Sequence, residues 1–81
     1  MKISITAEHI KNGTRKDFCN CPIALAFKSL GWDQVTVGPT IISLLKTNHA
    51  KHLKHSLQSN IFINHFDNGL TVIPMELEFR D

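Results

Sequence analysis

The chain opens on an alternation, Lys2-Ile3-Ser4-Ile5-Thr6, with isoleucine at every second place. A period of two predicts an edge or half-buried strand whose Ile3 and Ile5 face inward. Thr6 then stands where a helix needs its N-cap. Glu8 falls in the first turn, where the helix dipole favours negative charge, and Asn12-Gly13 supplies the stop of a short helix. Thr14 to Asn20 reads as a polar loop. Pro22 has the fixed φ of a first helical position, and Gly31 is placed to end a second helix. Within it Ile23, Phe27 and Leu30 share a face at i, i+4 and i+7, with Ala24 and Ala26 allowing close approach, so this stripe is expected in the core. Trp32, just past Gly31, is expected to fold back on the last turn of that helix.

Val35-Thr36-Val37 and Thr40 to Leu45 flank Gly38-Pro39, which predicts a strand, a turn and a second strand. Lys46 to His55 is polar and basic, and its pattern fits a loop followed by a short strand as well as the start of a helix. From Ser56, a cap residue, Leu57, Ile61, Phe62 and Phe66 follow at helical spacing and Asn68-Gly69 closes the run. Three turns of apolar positions favour a helix here over a strand at Ile61-Phe62-Ile63. In the terminal segment Leu70 to Phe79, Leu77 and Phe79 alternate with Glu76, Glu78 and Arg80. That predicts a last strand, placed near a sheet edge by Pro74. The elements add up to an α+β fold: a small, mainly antiparallel sheet with two to three helices packed on one face. No linker or repeat interrupts them, so residues 1–81 read as one small domain.

With 81 residues and 42% hydrophobic content there is room for a single core, and nearly all apolar side chains are expected to be used in it. The longest apolar runs, Ile23 to Phe27 and Ile41 to Leu45, fall far short of the roughly 20 residues that span a bilayer, so no membrane helix is expected. The alternating start lacks the apolar stretch of a secretory signal, which points to a cytoplasmic protein. Cys19 and Cys21, one residue apart, cannot staple distant segments and are expected to remain thiols.

Ile5-Thr6-Ala7-Glu8-His9-Ile10 followed by Gly13, then Cys21-Pro22-Ile23-Ala24-Leu25-Ala26, and finally Phe62 and Phe66-Asp67-Asn68-Gly69 with Pro74 form a pattern over most of the chain. It resembles a group of very small uncharacterised proteins encoded by bacteriophages and prophages. The resemblance implies a context: phage accessory proteins of this size bind and disable host components, including restriction and CRISPR machinery or nucleotide signals. It brings no catalytic residue with it, and Lys46 to His55 lies outside the pattern.

Cysteine and histidine suggest zinc, but Cys19-x-Cys21 is tighter than common structural spacings and no second cysteine pair completes a tetrahedron. His9 or His65 would have to be recruited through the fold. The bland alternative has Cys21 capping its helix and Cys19 packed in the loop. A nucleophilic Cys21 at a helix start would need a base and an orienting group, for which His9 and His65 are the candidates. Phosphate loops, paired catalytic carboxylates and Ser-His-Asp signatures are absent. No catalytic residue, metal ligand or cofactor is therefore assigned.

The most unusual composition lies at His49, His52 and His55, interleaved with Lys46, Lys51 and Lys54. On a strand His52 would face away from the other two, and on a helix the three would step around it, so neither converges on a metal. The segment reads as a cationic surface and as the candidate partner-binding site. Charge is divided along the chain: eight Lys/Arg against three Asp/Glu in residues 1–55, and one against four in residues 56–81. Such polarity attracts an acidic protein patch or phosphate groups. The phenylalanines sit at core spacing and tyrosine is absent, which removes the usual stacking platform for single-stranded nucleic acid. The leading expectation is a non-enzymatic phage-type accessory protein, monomer or homodimer, that binds and inhibits a host protein such as a defence complex in an anti-CRISPR-like way. The alternative is a nucleic-acid or nucleotide-binding protein that uses the same basic segment.

Overall fold

The computed structural model describes residues 1–81. Strand β1 (Lys2–Ile5) buries Ile3 and Ile5 and exposes Lys2 and Ser4. Helix α1 (Ala7–Asn12) starts at Thr6, whose hydroxyl accepts from the His9 N–H while His9 Nδ1 accepts from the Thr6 N–H. This reciprocal box satisfies two amides that the helix itself leaves free. Gly13 ends α1 in an extended conformation, φ −72°, rather than a left-handed one. Its glycine serves contact instead: a Cβ there would sit 2.7 Å from Pro22 Cδ.

Helix α2 (Pro22–Ser29) has Pro22 at its first turn and Cys21 as its cap, with Sγ accepting from the Ala24 N–H at 3.4 Å. Ile23, Ala24, Ala26 and Phe27 are buried, but Leu30 is the C-cap and stands exposed, so the core stripe stops one position earlier than its spacing predicts. Gly31, at φ +103°, reverses the chain where an L side chain would be strained. Trp32 is buried, yet its ring partners are Lys46 and His49 rather than a helix residue.

Strands β2 (Gln34–Val37), β3 (Ile41–Lys46) and β4 (His49–His55) form a meander, and β4 turns into helix α3 (Leu57–Asp67) at Ser56. The basic segment is thus the second arm of a hairpin whose Thr47-Asn48 turn holds Asn48 at φ +61°. Polar side chains on both faces hide its period of two, because Leu53 is its one fully buried residue. Strand β5 (Met75–Arg80) completes a curled sheet of order β1-β5-β4-β3-β2, antiparallel throughout. It is an interior strand, not an edge: it pairs with β1 on one side and β4 on the other. Pro74 is tolerated because it precedes the strand and takes no ladder bond.

The helices cover one face of the sheet. Phe27 of α2 meets Phe79 of β5 edge to face, with ring centroids 5.2 Å apart. Such a pair adds about 0.5–1.5 kcal/mol beyond the burial of its rings. Ile42, Leu44, Leu53 and Leu77 complete the layer between helices and sheet. The expectation that apolar side chains are nearly all consumed needs correction. Phe18 is 65% exposed and Leu57 77%, and Ile61, Leu70, Ile73 and Met75 are exposed as well. Of α3, Phe62 joins the core with Ile63 packed against it, while Phe66 and Ser59 are buried and Leu57 and Ile61 stand exposed.

Candidate functional site

The register assigns a face to each member of the basic segment. Ile41 lies opposite Lys54, Ser43 opposite His52, and Leu45 opposite Ala50, while Lys54 lies opposite Arg80 on the other side. Cross-strand partners share a face, so these residues stand together on the side that no helix covers. Lys46, His49, Lys51 and His55 point to the helix side, where each is engaged. The Lys46 ammonium sits 4.5 Å from the centre of the Trp32 ring, and His49 stacks on that ring at 5.5 Å. Lys51 pairs with Asp81 at 3.4 Å.

His55 is half-buried and fully bonded. Its Nε2 lies 2.9 Å from the Gly38 carbonyl, an acceptor only, so Nε2 carries the hydrogen; Nδ1 lies 2.8 Å from Ser59 Oγ. The single Ser59 hydroxyl hydrogen can serve Nδ1 or, at 3.1 Å, the Ser56 carbonyl. Burial holds the His55 pKa below the ordinary histidine value, with the Gly38 carbonyl opposing that shift. His55 is therefore a junction between the β2–β3 turn, β4 and α3, not a surface contact. Of the six residues expected to form the site, His52 and Lys54 alone remain on the open face.

That face gains a neighbour which the composition of residues 46–55 could not reveal. Arg80 comes from β5, and only strand pairing places its guanidinium beside Lys54. Neither side chain makes an ion pair, since the two salt bridges of the molecule are Met1 amino group to Glu78 and Lys51 to Asp81. Ile41 and Leu45, both exposed, lie next to these cations with Ala50, and no phenylalanine or tryptophan of the strands points to this face. A shallow depression between β2, β3 and β4 is lined by Thr36, Ser43, Leu45, Ala50 and His52. The strand over Thr40 to Leu45 was legible in the sequence, but its pairing with the basic strand was not.

The thiols and the other histidines do not assemble a reactive centre. Cys21 is buried as a helix cap, and that burial pushes its thiol pKa up, away from the thiolate a nucleophile requires. Cys19 is exposed instead of packed in the loop; Asp17 organises that loop by accepting from the Cys19 and Asn20 amides. His9 is committed to its capping box, and His65 lines a groove between α3 and the approach to β5. No group of three or more His, Cys, Asp or Glu is arranged to hold a metal ion. The groove, about 540 Å³, is lined chiefly by Ile61, Phe62, Val72, Ile73 and Met75, a concavity that sequence reading missed because it treated these residues as core. No helix of the chain is long and apolar enough to cross a membrane. No family model, curated protein or solved structure matches the chain.

Proposed function

We propose that this chain is a non-enzymatic, phage-type accessory protein that docks on an acidic surface of a host protein, a defence component such as a CRISPR effector, and inhibits it. The observation that carries the reading is the open face of the sheet: unpaired Lys54 and Arg80 beside His52, around the exposed apolar side chains of Ile41 and Leu45. Apolar anchors beside the cations of this corner, with Glu76 and Glu78 farther along β5 on the same face, suit a protein partner that sets acidic groups against Lys54 and Arg80. A bound single strand of nucleic acid would want aromatic platforms, and the strands of this face present no phenylalanine or tryptophan to it. The host context rests on the likeness to phage and prophage proteins.

Affinity capture from nuclease-treated bacterial lysate tests the proposal, with the chain compared to its Lys54→Glu/Arg80→Glu variant. The expected result is a specific protein retained by the parent chain and reduced at least tenfold by the double reversal. A correctly folded parent that retains no protein would overturn it. Retention of nucleic acid instead, with affinity falling steeply as salt rises, would move the assignment to phosphate binding.

A further inference from the structure

We infer that the groove between α3 and the approach to β5 is closed by the same groove of a second copy of this chain, in a twofold dimer. The inference uses neither Lys54 nor Arg80 and stands independently of the partner reading.

Two walls make the groove. Gln58, Ile61, Phe62 and His65 fall at i, i+3, i+4 and i+7 on α3 and form one of them. Thr71 to Ile73, with Met75 and Glu76 at the start of β5, form the other. The walls part because β4 gives way to α3 at Ser56, whose carbonyl accepts from the Asn60 N–H, and β5 meets β4 only at Phe79 and Arg80. Earlier residues of β5 therefore face the helix across a gap.

The surroundings of this gap are apolar and almost free of charge. Leu57, Ile61, Leu70, Ile73 and Met75 are five of the ten large hydrophobic side chains that the fold leaves exposed, and all fall between residues 57 and 75. In that stretch the only Asp, Glu, Lys or Arg is Asp67. Asp67 turns elsewhere, accepting the Lys16 N–H at 2.9 Å and lining a separate depression beside Gly38 and Pro39. Homodimer interfaces have this character, more apolar than ordinary surface and depleted of charge at their core.

Polar groups at the margin select the occupant. His65 stands on the helix wall, and Glu76 on the strand wall at the rim where the groove meets the open face. No ion pair or side-chain hydrogen bond within the chain engages either of them. A twofold axis exchanges the walls, so that residue i of one copy meets residue j of the other and j meets i. One imidazole donor and one carboxylate acceptor on opposite walls are thereby satisfied twice. Ile61 then lies near the axis, with Leu57, one turn before it, against Ile73 and Met75 of the second copy. A lone apolar ligand would fill the groove and leave His65 and Glu76 without partners.

Sedimentation equilibrium of the intact chain tests the dimer. The parent is expected to be dimeric and Ile61→Asp monomeric with an unchanged circular dichroism spectrum, since Ile61 is 45% exposed in the single copy. Leu57→Asp, at a more open position, answers the same question should that variant fail to fold. His65→Glu sets carboxylates against each other, Glu76→Lys removes the acceptor, and each is expected to weaken the dimer at least tenfold. Mixed in equal amounts, these two variants are expected to pair as tightly as the parent, because each contact then joins Glu to Lys or His to Glu. Recovery on mixing requires the two walls to meet across the copies. A parent that stays monomeric at about 100 μM, where a micromolar dimer would be largely formed, overturns the inference. So does a dimer that survives the aspartate variants, a mixture that does not recover, or an apolar small molecule found in the groove by native mass spectrometry.

Discussion

Cys21 shows how one side chain can satisfy a local rule and close off a chemical role at once. Its sulfur takes the Ala24 amide that helix geometry leaves without a partner, and the same position puts the thiol inside the core, at 2% exposure. Cys19, two residues earlier, lies in solvent. Iodoacetamide at neutral pH should therefore alkylate one cysteine per folded chain, with Cys21 reacting only in denaturant; mass spectrometry of the modified peptides reads the outcome. Ser59 illustrates the same coupling from the polar side. Fully buried, its hydroxyl serves the Ser56 amide and His55 together. The sequence announces Ser56 as a cap, but the partnership of Ser59 with His55 requires β4 and α3 to meet at a sharp corner.

At the scale of elements, most boundaries were legible because each has a chemical marker close by in the chain. Thr6 and Ser56 begin helices, Pro22 enters one, and Gly31 and Gly69 leave at positive φ. Gly13 follows a different rule, since its backbone angles suit any residue and only the Pro22 ring forbids a side chain. Gly13→Ala should cost about 1–3 kcal/mol through overpacking, measured as a lower urea midpoint with an unchanged slope. β4 was not legible. Lysines and histidines stand on both of its faces, so the hydrophobic pattern that betrays a strand is missing, and its identity comes from the six-residue register against β3. β5 was recognised as a strand but misplaced, because a proline near a strand says nothing about neighbours when it stands before the first paired residue.

At the scale of the whole molecule, stability depends on the protonation of His55, which ties the β2–β3 turn to β4 and α3. Burial sets its folded pKa below the ordinary histidine value near 6.5, so in that interval the folded chain binds fewer protons than the unfolded one. The associated stability is present above about pH 6.5 and is lost as pH falls toward the folded value. Thermal denaturation followed by circular dichroism should show Tm dropping on acidification through this range, with a shallower drop in His55→Gln. The sequence alone determined the α+β class, the helix caps and the alternating inward residues of β1, β2 and β5, since these depend on contacts among residues a few positions apart. Tertiary structure alone decided which basic side chains remain free. Trp32, Asp81 and Ser59 claim Lys46, His49, Lys51 and His55 from elements outside the basic segment, while pairing with β5 brings Arg80 beside Lys54. Those contacts join residues up to 30 positions apart, and no local periodicity encodes which distant strand a given strand will meet.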